Sequence, residues 1–391
     1  MQEVVRYTYR LRPGAVAERA LLDEWHRCRF LWNEAVHQQK TGRKPTLCKL
    51  SKLLTEARGK FAWLRAGSQV AQQQTLRTYA TALNHSYKVK GRRKPIVKPR
   101  KKTLPSLEYT TRGFAIRDER LRLPSGVTIP VVWSRELSSE PTSVRVYQDS
   151  LGHWYASFVV RRDVEPAPDV DGAIGIDWGV TTTATATNPT YDLPFNGHRR
   201  RCAAELARAQ RKMSRRRRAR GQAQSNGYRR AKRQTAKVHK KAARQNAHAA
   251  RTWAQRVVAD HQVIAVEDFK PKFLARSTMA RKAADAAIGA AKRELIERGT
   301  RAGRKVVLVP PAYTTMTCSE CFAIAKQRLG LAERIFRCEH CGYTAGRDRN
   351  AARTILAMAE PGHAGADDVR HLADSLQVVG PALSELEIPR L

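Results

Sequence analysis

Acidic residues are scarce in this chain: 35 Asp and Glu stand against 73 Lys and Arg in 391 residues, a formal charge of +38. A compact fold with that excess repels itself unless polyanion neutralises it, which makes nucleic acid the expected partner and an anionic membrane surface the competitor. A second absence weakens the competitor. No apolar run is long enough to span a bilayer and no N-terminal signal with a cleavage site can be read, so no membrane partner is expected. Cysteine is scarce too. Of seven, Cys28, Cys48 and Cys202 are widely separated with no partner at motif spacing, which excludes a disulfide-stapled secreted scaffold and suits a reducing compartment.

The other four cysteines stand as Cys318-x2-Cys321 and Cys338-x2-Cys341, with sixteen residues between the pairs. Each pair sits in a tight knuckle that can aim two thiolates at one tetrahedral ion, and the spacing is that of a four-cysteine zinc ribbon over 313–344. Four unrelated buried thiols are the bland alternative, which the doubled spacing disfavours. One structural Zn²⁺ is therefore expected. A closed four-thiolate site holds structure and performs no chemistry, so the ribbon is expected to position its neighbour: Gly-Arg-Asp-Arg-Asn-Ala-Ala at 346–352, and within it Asp348.

Along the chain, residues 3–11 alternate as a strand closed by Arg-Pro-Gly, and helical spacing follows at 15–39, about 47–58 and about 68–88. A basic, proline-broken loop over 88–102 carries Arg92, Arg93, Lys94 and Lys98, and reads equally as a solvated linker or a phosphate contact. β-rich pieces at 113–117, 120–123, 127–133, 143–149 and 153–161 predict a small barrel. In that reading 1–12 joins 103–168, and 13–102 is a helical insertion. From 169 to 360 the pattern is α/β. Apolar strands at 173–178, 262–268 and 304–310, with a hairpin partner at 181–187, are separated by helices at about 199–220, 228–260 and 279–302. The tail 361–391 opens with Pro, Gly and Asp and is expected to be mobile.

Acid nearly vanishes within the basic helical insertion 199–253. Between Arg199 and Arg251 there are twenty Lys or Arg and one acid, Glu205. A solvated helix normally interleaves Glu to offset such charge. Its absence predicts a polyanion-facing surface, with Arg215, Arg216, Arg217, Arg218, Arg229, Arg230, Lys240 and Lys241 as candidate contacts.

Three acids stand where apolar strands or a helix put them at an edge. Asp177 ends one strand in Gly-Ile-Asp-Trp-Gly-Val, Glu267 ends another in Ala-Val-Glu-Asp-Phe, and Asp348 opens a helix after the ribbon. Singly they read as caps. Together, beside a large cationic surface, they can converge only if divalent cations bridge their repulsion, and two Mg²⁺ ions in such a site support in-line attack on a phosphodiester. Gly175 and Gly179 flank Asp177 and would admit a substrate backbone. Asp268 is expected on the opposite strand face from Glu267, and Asn350 to orient Asp348 or cap its turn.

In this order, Gly-Ile-Asp-Trp-Gly-Val, Val-Glu-Asp, Thr-Cys-Ser-x-Cys, Cys-x-His-Cys-Gly-Tyr and Arg-Asp-x-Asn-Ala-Ala resemble the TnpB family of transposon-encoded proteins. The segments Cys28-Arg-Phe-Leu-Trp-Asn-Glu-Ala and Leu121-Arg-Leu-Pro extend the similarity over nearly all of the first 360 residues. The resemblance implies a multidomain α+β protein: a wedge-like β-barrel with a helical recognition insertion, then a RuvC-like nuclease domain of RNase H fold carrying the ribbon. It implies an RNA-guided DNA endonuclease, with Asp177, Glu267 and Asp348 as catalytic metal ligands and Cys318, Cys321, Cys338 and Cys341 on zinc. The partners implied are a noncoding guide RNA from the transposon end, one chain per RNA, and double-stranded target DNA beside a short motif. The setting implied is a prokaryotic cytoplasm, at the nucleoid. Gly346, Phe322 and Arg353-Thr354 depart from the family pattern, which usually has an acid, a Gly and an Asn there. Compact type V CRISPR effectors share these motifs, so a CRISPR-type guide is one alternative. A strand-transferring transposase and a guided repressor without cleavage are the others.

Overall fold

The computed structural model describes residues 2–42, 45–100, 102–163, 167–219, 221–271, 274, 277–327, 329–330, 333–359 and 377–379. The chain divides into two compact units, Met1–Val164 and Glu165–Leu391. Among the described residues no helix is long and apolar enough to cross a membrane.

The first unit opens on β1 (Gln2–Leu11), whose alternation buries Val5, Tyr9 and Leu11. Four helices follow: α1 (Ala15–Lys40), α2 (Leu47–Lys60), α3 (Ala62–Arg65) and α4 (Gln69–Lys88). Six strands complete the unit: β2 (Ser106–Thr110), β3 (Ala115–Arg117), β4 (Arg120–Leu123), β5 (Val127–Val132), β6 (Ser143–Gln148) and β7 (Trp154–Asp163). Among the described residues they form one antiparallel sheet in the order β2-β6-β7-β1-β5-β4-β3. β1 pairs along its whole length with β7, from Gln2↔Asp163 to Leu11↔Trp154, and meets β5 only at Arg10 and Leu11. Residues from both halves of the sheet, Leu107 and Tyr109 with Leu121 and Ile129, share one core, so the sheet curls. Its outer strands β2 and β3 have no ladder to each other among the described residues, so the sheet is curled without a shown closure. β2 is a strand that the sequence pattern left unread, although Leu107 and Tyr109 alternate with polar neighbours.

Helix α1 serves two cores. Leu21, Trp25 and Cys28 pack on the curled sheet, while Leu31, Trp32, Ala35 and Val36 pack with Leu50, Leu54, Leu76, Tyr79 and Leu83 of α2 and α4. Thr46 and Ser68 cap α2 and α4 by accepting from Lys49 N and Ala71 N.

The second unit is a three-layer α/β arrangement. Its strands are β8 (Ala173–Trp178), β9 (Thr182–Ala186), β10 (Leu193–Pro194), β11 (Val263–Glu267) and β12 (Lys305–Val309). A short hairpin, β13 (Ile335–Arg337) and β14 (Thr344–Gly346), belongs to the cysteine ribbon, and β15 (Gln377–Val379) closes the set. The sheet order is β10-β9-β8-β11-β12-β15, with β8, β11 and β12 parallel and β9 and β15 antiparallel at either side. The expected mobile tail 361–391 lies outside the described residues except for Gln377–Val379, which form an edge strand on β12.

The helices are α5 (His198–Arg201), α6 (Ala203–Arg215), α7 (Asn226–Asp260), α8 (Ala280–Ala286), α9 (Ile288–Arg301) and α10 (Arg347–Ala359). One sheet face is covered by the end of α7 (Trp253, Ala254, Val257) and by α9 (Ala291, Leu295). The other is covered by α10, where Ile355 and Met358 meet Ala265, Val307 and Val309. The start of α7 packs instead on α6, with Ala209, Ala231, Thr235 and Val238 buried and Gln234 Nε2 donating to Glu205 Oε1 at 3.0 Å.

Candidate active site

The parallel register sets the site. β8 and β11 pair in step through Ile176↔Val266, and the next residue on each strand is an acid: Asp177 and Glu267. Both are buried, at 6% exposure. The third acid arrives through α10, which lies against β8 because Gly175 has no side chain. A Cβ there would stand 2.0 Å from the Ala352 carbonyl oxygen and 2.9 Å from Leu356 N. Gly175 thus admits a helix of the fold, and the expected substrate approach at that glycine is corrected. Gly179 likewise serves the turn into β9, where a Cβ would meet the Thr182 carbonyl oxygen at 2.6 Å.

Asp348 lies in the first turn of α10, half-buried, with Arg334 Nη1 at 3.6 Å from its carboxylate. Burial raises the Asp177 carboxyl well above the ordinary carboxylate range, and the negative charges of Glu267 and then Asp348 raise it further, while Arg347 opposes them. Burial pushes Glu267 up to about 7 against the pull of Lys292 and of the Trp178 backbone N–H. Trp178 also ties the strands, its indole N–H donating to the Glu267 carbonyl oxygen at 3.1 Å. Asp268 is held apart from this site: burial would raise it, but Lys292 at 2.6 Å and Lys270 at 3.4 Å hold it low. Hard carboxylate oxygens, buried and mutually repelling, suit a divalent cation.

Asn350, expected to orient Asp348 or cap its turn, reaches the first cysteine knuckle. It is fully buried; its Nδ2 donates to the Thr317 carbonyl oxygen at 2.7 Å and its Oδ1 accepts from Ser319 N at 2.9 Å. Thr354, one turn later, donates to the same carbonyl at 3.3 Å. Side chains of α10 therefore grip the first cysteine knuckle, which fixes the helix that carries Asp348. Arg349 secures the other side through a two-pronged bond to Asp192 at 2.9 and 2.8 Å.

The four cysteine sulfurs lie within 4.8 Å of one another, with Cys318–Cys341 at 3.7 Å and Cys321–Cys338 at 3.5 Å. A tetrahedral ion with bonds of about 2.3 Å needs edges of about 3.8 Å. Among the described residues these cysteines are the ligand set already closed to ion-holding distance; the three carboxylates are not so closed. The knuckles repeat one geometry. Phe322 N donates to the Cys318 carbonyl oxygen and Gly342 N to that of Cys338, each at 3.1 Å. Both turns need positive φ, +58° at Phe322 and +74° at Gly342. Phe322 therefore occupies a conformation that suits glycine, which makes its departure from the family pattern a local strain. Gly346 has open space beside it.

Of the candidate basic residues, Arg92, Arg93, Lys94, Arg215, Arg216, Arg217, Arg218, Arg229, Arg230 and Lys241 are exposed, and Lys240 is half-buried. Lys98 differs: its ammonium sits 3.4 Å from the centre of the Trp32 ring. Sequence reasoning missed Arg334, Arg347, Arg349 and Lys292 as neighbours of the acids. Arg347 and Arg349 were signalled by flanking Asp348; Lys292 sits in a helix with nothing in the sequence to mark it.

A sequence model described as "Cas12f1-like, TNB domain" matches residues 290–355, and the OrfB_IS605 model, described as "Probable transposase", matches 157–278. A Streptomyces pristinaespiralis protein named as an RNA-guided DNA endonuclease is 31% identical over 394 residues, 96% of this chain and 94% of the relative. InsQ of Escherichia coli (strain K12), named likewise, is 27% identical over 403 residues, 93% and 94% of the two chains. The CRISPR-associated endodeoxyribonuclease Cas12f1 of Sulfoacidibacillus thermotolerans is 45% identical over 65 residues, 16% of this chain and 15% of the relative. The chain belongs to the TnpB family.

Proposed function

We propose that this protein is a transposon-associated, RNA-guided DNA endonuclease. Its RuvC-like domain of RNase H type spans 169–360, with Asp177, Glu267 and Asp348 holding two Mg²⁺ ions and the four cysteines holding one Zn²⁺. The observation that carries the reading is geometric: Asp177 and Glu267, each one residue past the Ile176↔Val266 pair, lie buried on adjacent parallel strands, and Asp348 opens the helix packed on β8. Full-length relatives named as RNA-guided DNA endonucleases support the transposon-type reading. The Cas12f1 match spans only 65 residues.

In this reading bound Mg²⁺ supplies Lewis-acid activation of water and of the leaving 3′-oxygen. The chain's own residues prepare for that. Lys292 and Arg347 bias Glu267 and Asp177 toward the ionised form. The curled sheet, 1–12 with 103–168, acts as a wedge-like barrel, and 13–102 is its recognition insertion. The α6–α7 hairpin and the 88–102 loop meet nucleic-acid backbone. The partners are one guide RNA per chain and a double-stranded target beside a short motif, in a prokaryotic cytoplasm at the nucleoid.

The test compares wild type with Asp177→Ala on a DNA target matched to copurified, sequenced RNA. Cleavage falls at least a thousandfold on the order of metal-ligand losses, while RNA and target binding persist. Equal cleavage by both proteins defeats the catalytic assignment, and cleavage that ignores complementarity leaves an unguided nuclease.

A further inference from the structure

The segment after α4 is the most cationic stretch of the first unit, and its chain from Val89 to Pro99 lacks helix or strand. It is nevertheless tethered. Asn33 on α1 holds Lys98 from both sides: Asn33 Oδ1 accepts from Lys98 N at 2.8 Å and Nδ2 donates to the Lys98 carbonyl oxygen at 3.3 Å. Arg29 Nη1 reaches the same carbonyl at 3.3 Å, and Trp32 Nε1 donates to the Ile96 carbonyl oxygen at 2.9 Å. The Lys98 ammonium rests on the Trp32 ring at 3.4 Å and faces Trp25 at 5.4 Å. Trp25, Arg29, Trp32 and Asn33 recur at helical spacing on one stripe of α1. The cations on either side, Arg92, Arg93, Lys94 and Arg100, are exposed.

We propose that Asn33 and Trp32 are positioning residues that clamp the 96–98 strap, making it a fixed array of cations for a nucleic-acid backbone. In that array Lys98 is the anchor and the residues beside it are the phosphate contacts. The inference rests on the proposed nucleic-acid function and deepens it. A free basic loop must lose its conformational freedom on binding, and a clamped one has lost it already. Ordering matters most for backbone contacts, because each phosphate reached adds to the salt dependence only if its cation is in place.

The experiment uses the full chain and Asn33→Ala, a half-buried site outside both apolar cores, with Arg92→Gln/Arg93→Gln/Lys94→Gln as the charge control. Trypsin cutting between Lys88 and Lys102 and amide exchange at 89–100 read the clamp without any ligand. Fluorescein-labelled duplexes of one mixed sequence, one RNA and one DNA, read binding across a salt series. We expect Asn33→Ala to speed nicking about tenfold and to lose amide protection at Lys98. It should weaken one or both duplexes about fivefold, with a salt slope lower by roughly one. The duplex affected tells whether RNA or DNA lies on the strap. The charge control should weaken binding without faster nicking at the remaining sites. Unchanged nicking and protection overturn the clamp. Faster nicking with both affinities unchanged overturns the interface. Wild type that binds neither duplex instead defeats the underlying nucleic-acid reading.

Discussion

Two ligand clusters meet at helix α10, and they are built on opposite terms. The four thiols are drawn to within 4.8 Å by two local knuckles, and neutral thiols cost little to bring together. The three carboxylates come from two strands and a helix start, and burial together with their approach raises the pKa of Asp177. The first cluster is closed and soft, fitted to hold shape. The second is hard and self-repelling, a set whose chemistry suits a divalent cation. Asn350 and Thr354 join them, so the closed cluster fixes the helix on which the third acid of the open one rides.

The largest effect that would test this contrast is loss of a thiolate. Cys338→Ser should release the single metal, about one Zn²⁺ per chain by elemental analysis, and lower stability by several kcal/mol, since a structural ion's binding energy is folding energy. Cleavage should fall with it through Asp348. Wild type without bound metal, or a variant with unchanged melting and cleavage, would break the assigned division of labour.

Next comes pH, which should act on the carboxylate cluster. Glu267 and Asp177 bind protons more tightly folded than unfolded, so the Mg²⁺-free protein holds their full contribution to stability only below the ordinary carboxylate range. It should lose stability as pH rises from about 4.5 to about 7, by on the order of 3 kcal/mol for Glu267. Millimolar Mg²⁺ should restore the loss at pH 7.5. Protein kept free of Mg²⁺ with its zinc retained, if its melting profile is flat across this window, would show that the acids do not repel.

A smaller change falls on the link. Asn350→Ala takes the acceptor from the half-buried Ser319 N–H and the donor from the Thr317 carbonyl, and should cost about 2 kcal/mol. The metal should remain on the cysteines while cleavage drops. If cleavage is unaffected, the ribbon does not position Asp348 through this side chain. Smallest is Gly342→Ala, which has open space but a φ of +74° and should cost about 1 kcal/mol by urea unfolding. A neutral result would mean that Phe322 bears no strain in the matching turn.

Much of the fold was legible in pattern. The alternation of Val5, Tyr9 and Leu11, the stripe on α1 and the apolar strands ending in Asp177 and Glu267 all stand where periodicity placed them. β2 was missed because its run is short, and β15 because three residues in a polar tail carry no periodic signal. Gly175 was misread for a physical reason: a glycine marks close approach, but sequence does not say what approaches.

By itself, then, the sequence determined what local spacing and summed charge can determine. Four cysteines at knuckle spacing form a cluster, a +38 chain seeks polyanion, and buried strands end in acids. Tertiary structure alone decided that α10 lies on Gly175, that Asn350 grips the ribbon, and that Lys98 is turned onto Trp32. The reason is distance along the chain. Knuckle geometry is set by a few bonds, whereas the meeting of Asp177, Glu267 and Asp348 depends on strand register and helix packing that span most of the second unit.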